Sequence, residues 1–192
     1  MQSVGIYGGS FDPVHLGHVL VAQAAIEELG LDRLFFIPAA QSPFKPHHQP
    51  APGARRLQFL RLALAGLTRC EVDDQEIQRG GVSYTVDTLR EYASRFPGAK
   101  LFYLIGADNA AMLHEWRDPA ILAQLAEFVA VPRPGDGPAV FPSPFRGRTL
   151  QGFPFRVSSS EIRARVKAGL PVGNLVPDAV AGAMQASGVY HA

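Results

Sequence analysis

The sequence predicts an α/β fold, an open and mostly parallel sheet with helices on both faces. Three features carry this reading. Short apolar runs alternate along the chain with segments whose apolar residues recur at helical spacing. Those runs are continuously apolar, the pattern of strands covered on both sides. The chain's 192 residues, 47% of them hydrophobic and 18% charged, can bury a full core without staples. We take 1–192 as a single domain whose final segment, about 158–192, is helical.

In chain order, Ser3 to Tyr7 (SVGIY) is a buried first strand. His15 to Leu29 is a helix, with Leu16, Val19, Leu20, Gln23 and Ile26 spaced for one face. Leu34 to Ile37 (LFFI) is the second strand, Arg55 to Leu67 the second helix and Arg69 to Val72 a short strand. Thr85 to Phe96 is helical, closed by Pro97-Gly98, and Leu101 to Ile105 (LFYLI) is another buried strand. Asp118 to Gln124 is a short helix and Phe128 to Val131 the next strand. The Pro- and Gly-rich stretch from Arg133 to Phe155 reads as a loop or crossover, with a strand at Thr149 to Gln151. Helices at about Ser159 to Ala168 and Pro177 to Ser187 follow. Parallel sheets bind ligands beyond the carboxyl ends of their strands. Chemistry is therefore expected after Tyr7, Ile37, Val72, Ile105 and Val131.

Composition narrows the function classes. Eighteen basic against seventeen acidic residues leave +1, too balanced for a nucleic-acid or membrane-surface binder. One cysteine, Cys70, excludes an intramolecular disulfide framework and suits the cytoplasm. No membrane span or export signal is expected. What remains is an enzyme or a small-molecule binder, with a homo-oligomer left open.

The most informative stretch is Gly8-Gly9-Ser10-Phe11-Asp12-Pro13-Val14-His15-Leu16-Gly17-His18, directly after the first strand. The paired glycines permit a tight turn and close approach to a ligand. Neither the dinucleotide G-x-G-x-x-G nor a Walker-type P-loop is present. In their place, two histidines three residues apart lie on one face of a helix start. Unpaired backbone N–H groups there already favour an anion. Gly17 removes a side chain that would block approach. Together these features make a phosphate site; the plainer reading is a shaped turn with satisfied surface histidines.

This stretch resembles the nucleotidylyltransferase superfamily signature, a strand, a glycine turn and His-x-Gly-His. Five further blocks narrow the resemblance. They are Ser83-Tyr84-Thr85-Val86-Asp87-Thr88-Leu89, Leu104-Ile105-Gly106-Ala107-Asp108, Trp116, Val131-Pro132-Arg133-Pro134-Gly135 and Ser158-Ser159-Ser160-Glu161-Ile162-Arg163. In this order the chain is similar to bacterial nicotinate-nucleotide adenylyltransferases over nearly its whole length. The resemblance implies a Rossmann-like α/β fold. It also implies transfer of AMP from ATP to nicotinate mononucleotide, yielding nicotinate adenine dinucleotide and pyrophosphate.

By the same resemblance, His15, His18, Lys45 and Arg163 are catalytic. ATP meets Gly8, Gly9, Ser10, Phe11, Gly17, Gly106, Asp108, Ser158, Ser159 and Ile162. The mononucleotide meets Asp12, Tyr84, Thr85, Trp116 and Arg133, and Mg²⁺ arrives mainly on the ATP phosphates. Lys45 stands in Ser42-Pro43-Phe44-Lys45-Pro46, where the family has Pro-Pro-His-Lys; Phe44 takes the histidine's place, and His47 and His48 follow. Plainer roles stand beside several of these. Ser158 and Glu161 have capping-box spacing, Thr85 is read as an N-cap, Trp116 as core and Asp108 as a turn residue. Another adenylyl- or cytidylyltransferase, or a non-catalytic nucleotide sensor, remains an alternative.

Overall fold

A computed structural model describes residues 1–44, 49–133, 135 and 137–191. Lys45, His47 and His48 lie outside the described residues. Six strands form one sheet: β1 (Ser3–Gly9), β2 (Arg33–Pro38), β3 (Cys70–Val72), β4 (Lys100–Gly106), β5 (Glu127–Val131) and β6 (Gly147–Thr149). Their order is β3-β2-β1-β4-β5-β6, and each neighbouring pair is parallel. The chain starts at the centre, runs out to β3, returns to β4 and runs out the other way. The order therefore reverses between β1 and β4, where such sheets open a crevice at their carboxyl ends.

Alternation across the strands explains the unbroken apolar runs. In β2, Leu34 and Phe36 join one core cluster while Phe35 and Ile37 join the other. The first cluster is completed by α1 (Leu16–Leu29), α2 (Gly53–Ala63), α7 (Ser159–Lys167) and α8 (Asp178–Ser187). The second is completed by α4 (Thr85–Arg95) and α6 (Pro119–Leu125). Helices thus cover both faces, as expected.

Several local expectations are corrected. The buried side of α1 is Ala22, Ala24 and Ala25, while Gln23 is exposed and bonds to Glu27 at 2.9 Å. Small residues let this helix lie close on the sheet, and alanine is too weakly apolar to stand out in a periodicity count. Helix α2 begins two residues earlier and stops at Ala63, with Gly66 beyond it at φ +88. Strand β6 is Gly147–Thr149, two residues before the expected segment, because it pairs with β5 through Phe128↔Gly147. Two short helices, α3 (Gln75–Arg79) and α5 (Ala107–Ala110), and a 3₁₀ turn at Leu113–Glu115 complete the described elements. They are too short to show a period.

Candidate active site

Strand β1 delivers its glycines to the crevice between β1 and β4. Phe11 follows with φ +45, an uncommon conformation for a bulky residue. It turns the Phe11 ring into the core, 2% exposed, packed at 5.4 Å from Tyr7 and 5.0 Å from His18. A Cβ on Gly8 would collide with the Tyr103 hydroxyl, so only glycine fits that approach.

His15 is the N-cap of α1 and His18 its third residue, with ring centroids 3.8 Å apart. The His15 backbone N–H donates to His18 Nδ1 at 3.1 Å. That bond fixes the His18 tautomer, leaving Nε2–H as the donor the ring can offer. The His18 backbone N–H donates to the His15 carbonyl at 2.9 Å, and His15 Nδ1 is buried without a partner. Burial pushes His15 down to about 4, and burial plus the neighbouring imidazole holds His18 well below its usual range. Both rings are neutral at pH 7. A Cβ on Gly17 would lie 3.0 Å from the His15 ring and 3.4 Å from Phe155, so what it clears is room for His15 itself.

Helix α7 reaches the same loop from the other end of the chain. Ser158 caps it, accepting from the Glu161 N–H at 3.2 Å, so the serine half of the expected box forms. Ser159 Oγ donates to the Pro13 carbonyl at 2.8 Å, and Arg163 Nη1 donates to the Asp12 carbonyl at 2.6 Å. These two side chains bind the β1–α1 loop while standing on the cavity wall. A cavity of ≈ 850 Å³ results, lined by Gly8, Ser10, Asp12, His15, Gly17, His18, Gly106, Arg133, Ser158, Ser159 and Arg163. Phe153, Phe155 and Arg156 line it too, and nothing in their sequence marks them out.

A smaller cavity of ≈ 150 Å³ adjoins it, lined by Gly8, Gly9, Phe44, Glu76, Ser83, Thr85, Tyr103, Gly106, Asn109 and Trp116 among others. The N-cap of α4 is Tyr84; Thr85 is the first helical residue, and its hydroxyl donates to Tyr103 Oη at 3.3 Å. The expected Thr85 cap is thereby corrected. Tyr84 carries the Arg117 guanidinium 4.6 Å above its ring. Trp116 packs edge-on to Phe128 at 6.2 Å and still lines the cavity, with its buried Nε1–H unpartnered. Glu76 escaped the sequence reading: it is 4% exposed, accepts from Thr88 Oγ1 at 2.5 Å, and burial raises its carboxyl.

Gly8 and Gly106 line both cavities. Phe11 and Ile162 are core side chains. Asp108 pairs with Arg133 at 3.2 Å, both well exposed, which puts Arg133 on the larger cavity's side.

The parallel sheet and the histidine pair at its switch point agree with the nucleotidylyltransferase resemblance. The cytidylyltransferase-like family model matches residues 6–165, and the chain belongs to that family. A probable nicotinate-nucleotide adenylyltransferase of Opitutus terrae is 42% identical over 183 residues, covering 92% of this chain and 91% of that protein. One from Geobacillus kaustophilus is 37% identical, covering 100% and 88%. Within the wider family, the chain therefore belongs to the nicotinate-nucleotide adenylyltransferases. The fold agrees. Plasmodium falciparum nicotinic acid mononucleotide adenylyltransferase complexed with NaAD superposes with a TM-score of 0.80 at 16% identity, over 99% of this chain and 98% of that one.

Proposed function

We propose that this protein transfers AMP from ATP to nicotinate mononucleotide, forming nicotinate adenine dinucleotide and pyrophosphate. The observation that carries the assignment is the pair of cavities meeting at Gly8 and Gly106 over the carboxyl ends of β1 and β4. The larger suits a nucleoside triphosphate. The smaller has room for a flat ring, which leaves the acceptor's ribose phosphate at the shared wall. The α-phosphorus and the attacking oxygen then meet where neither glycine adds a side chain.

The acceptor's phosphate oxygen is already ionised, so no general base is needed. It bonds to the α-phosphorus, and the bond from that phosphorus to the α,β-bridging oxygen breaks, releasing pyrophosphate. The chain's task is alignment and charge stabilisation. His18 Nε2–H, the N-terminus of α1 and Arg163 face the charge that develops on the transferring group. Neutral imidazoles suit this, because each donates without gaining a proton of its own. Trp116 stacks on the pyridine ring, and the N-terminus of α4 favours its carboxylate over a neutral amide.

Mg²⁺ would enter with ATP and neutralise charge on the departing pyrophosphate. The donor set fits a cation carried by the nucleotide. Asp12 is engaged by Tyr190 and Arg163, and Asp108 by Arg133. Among the described residues no helix is long and apolar enough to cross a membrane, and we place the reaction in the cytoplasm. The test is pyrophosphate release with ATP or CTP against a panel of acceptors: nicotinate mononucleotide, its amide, and 4′-phosphopantetheine. Fastest turnover with ATP and the nicotinate acceptor is expected; preference for another pair would overturn the assignment.

A further inference from the structure

The β1–α1 loop is held from outside the cavity by side chains that no step above uses. Arg56, on α2 and 1% exposed, donates Nη1 to the Ser10 carbonyl at 2.8 Å and Nε to the Ala51 carbonyl at 2.9 Å. Tyr190, beyond α8 and 5% exposed, donates its hydroxyl to Asp12 Oδ1 at 2.7 Å. The Ala51 N–H reaches the same oxygen at 3.2 Å, and Arg163 Nη1 stands 3.8 Å from Oδ2. With Arg163 on the Asp12 carbonyl and Ser159 on that of Pro13, three loop carbonyls and one carboxylate are drawn toward donors.

All four acceptors are negative ends beside a cavity that suits a polyanion. Any of them turned inward would repel the phosphates at short range in a partly dry site. We infer that Arg56 and Tyr190 are positioning residues for nucleotide binding and adenylyl transfer. They turn the Ser10 carbonyl and the Asp12 carboxylate away from the triphosphate. The inference rests on the proposed reading of the larger cavity. Burial, with Asp12 alongside, keeps the Tyr190 phenol protonated far above its ordinary range, so it remains a donor at any working pH. The Arg56 side chain is buried, a costly placement for a charge whose compensation is these carbonyls and Asp12.

Tyr190→Phe tests this cleanly, because it removes one oxygen and keeps the ring against Phe59, 6.3 Å away. The affinities of inorganic tripolyphosphate and of adenosine are measured for wild type and variant by calorimetry, alongside kcat and the KM for ATP. Tripolyphosphate affinity and the KM for ATP should each worsen by at least about tenfold, with adenosine affinity within about twofold. Arg56→Lys, which cannot fork to both carbonyls, should move the same quantities the same way and serves if Tyr190→Phe does not fold. Unchanged tripolyphosphate affinity, or an equal loss for both ligands, overturns the inference in favour of a purely structural role. Because binding is read without turnover, loss of tripolyphosphate affinity stands even if wild type fails the acceptor panel.

Discussion

His18→Ala separates the chemistry of the histidine pair from its packing. The substitution removes three things that the structure resolves: the Nε2–H donor, the Nδ1 acceptor for the His15 N–H at 3.1 Å, and a ring lying 5.0 Å from Phe11 and 3.8 Å from His15. A preorganised donor to developing charge is worth about 10²–10³ in kcat, roughly 3–4 kcal/mol. The lost cap costs about 1 kcal/mol of stability. In a chain of this size that lowers Tm by about 2–4 °C. Turnover should therefore fall far more than stability, with KM for ATP changed less than kcat. His18→Asn keeps a short acceptor near the His15 N–H, so it should recover stability without recovering turnover. The assay is coupled pyrophosphate release at 25 °C, with melting followed by circular dichroism. A kcat within about threefold of wild type, in a variant that melts a few degrees lower, would remove His18 from the reaction and leave it a capping residue.

Other consequences follow from the same geometry. His15, 7% exposed and pushed down to about 4, binds fewer protons in the folded state than in the unfolded chain between pH 6.5 and 4. Stability should accordingly fall as pH drops through that window, by about 1 kcal/mol from His15 between pH 7.5 and 5.5 in urea unfolding; a dependence unaltered in His15→Asn would refute this. Nicotinate mononucleotide should exceed its amide at least about tenfold in kcat/KM, roughly 1.4 kcal/mol, and equal rates would misplace the carboxylate at α4. Gly8→Ala drives a methyl into the Tyr103 hydroxyl and narrows the shared wall, so mononucleotide KM should rise about tenfold or more, and a smaller change in steady-state kinetics would sink the shared-wall geometry. Trp116→Ala should weaken mononucleotide binding by about 1 kcal/mol while Trp116→Phe retains most of it, and a KM for ATP that moves equally would count against stacking.

What could be read from the chain alone was whatever short-range spacing controls. The run Leu34 to Ile37 announces a strand because both faces of β2 are buried, and the histidine spacing announces that both rings meet because three residues on a helix start place them on one face. Edge strand β6 has no such signal. All three of its residues are exposed, and its register is set by pairing with β5 and by the fit of Gly147 against Phe141. The N-cap of α4 lies one residue before the expected Thr85, whose hydroxyl is spent on Tyr103 of β4.

The site itself divides along the same line. The groups we propose as phosphate donors are local: two imidazoles, a serine run and an arginine at a helix start. The groups that keep acceptors away from it are remote. Ser159 holds Pro13 across 146 residues, Arg163 holds Asp12 across 151, and Tyr190 holds Asp12 across 178. Sequence spacing therefore singles out the proposed donors and is silent on the restraint of the carbonyls, although both would contribute to the potential at the proposed triphosphate site. Arg163 shows the consequence. Its place in the serine-rich block implies a phosphate ligand, yet its shortest bond is to the Asp12 carbonyl, so in the proposed reaction it would act partly by holding the loop. An arginine that both shapes and lines the cavity should be harder to replace by lysine than a surface phosphate contact, since lysine cannot reach Asp12 and Ser160 with one planar fork.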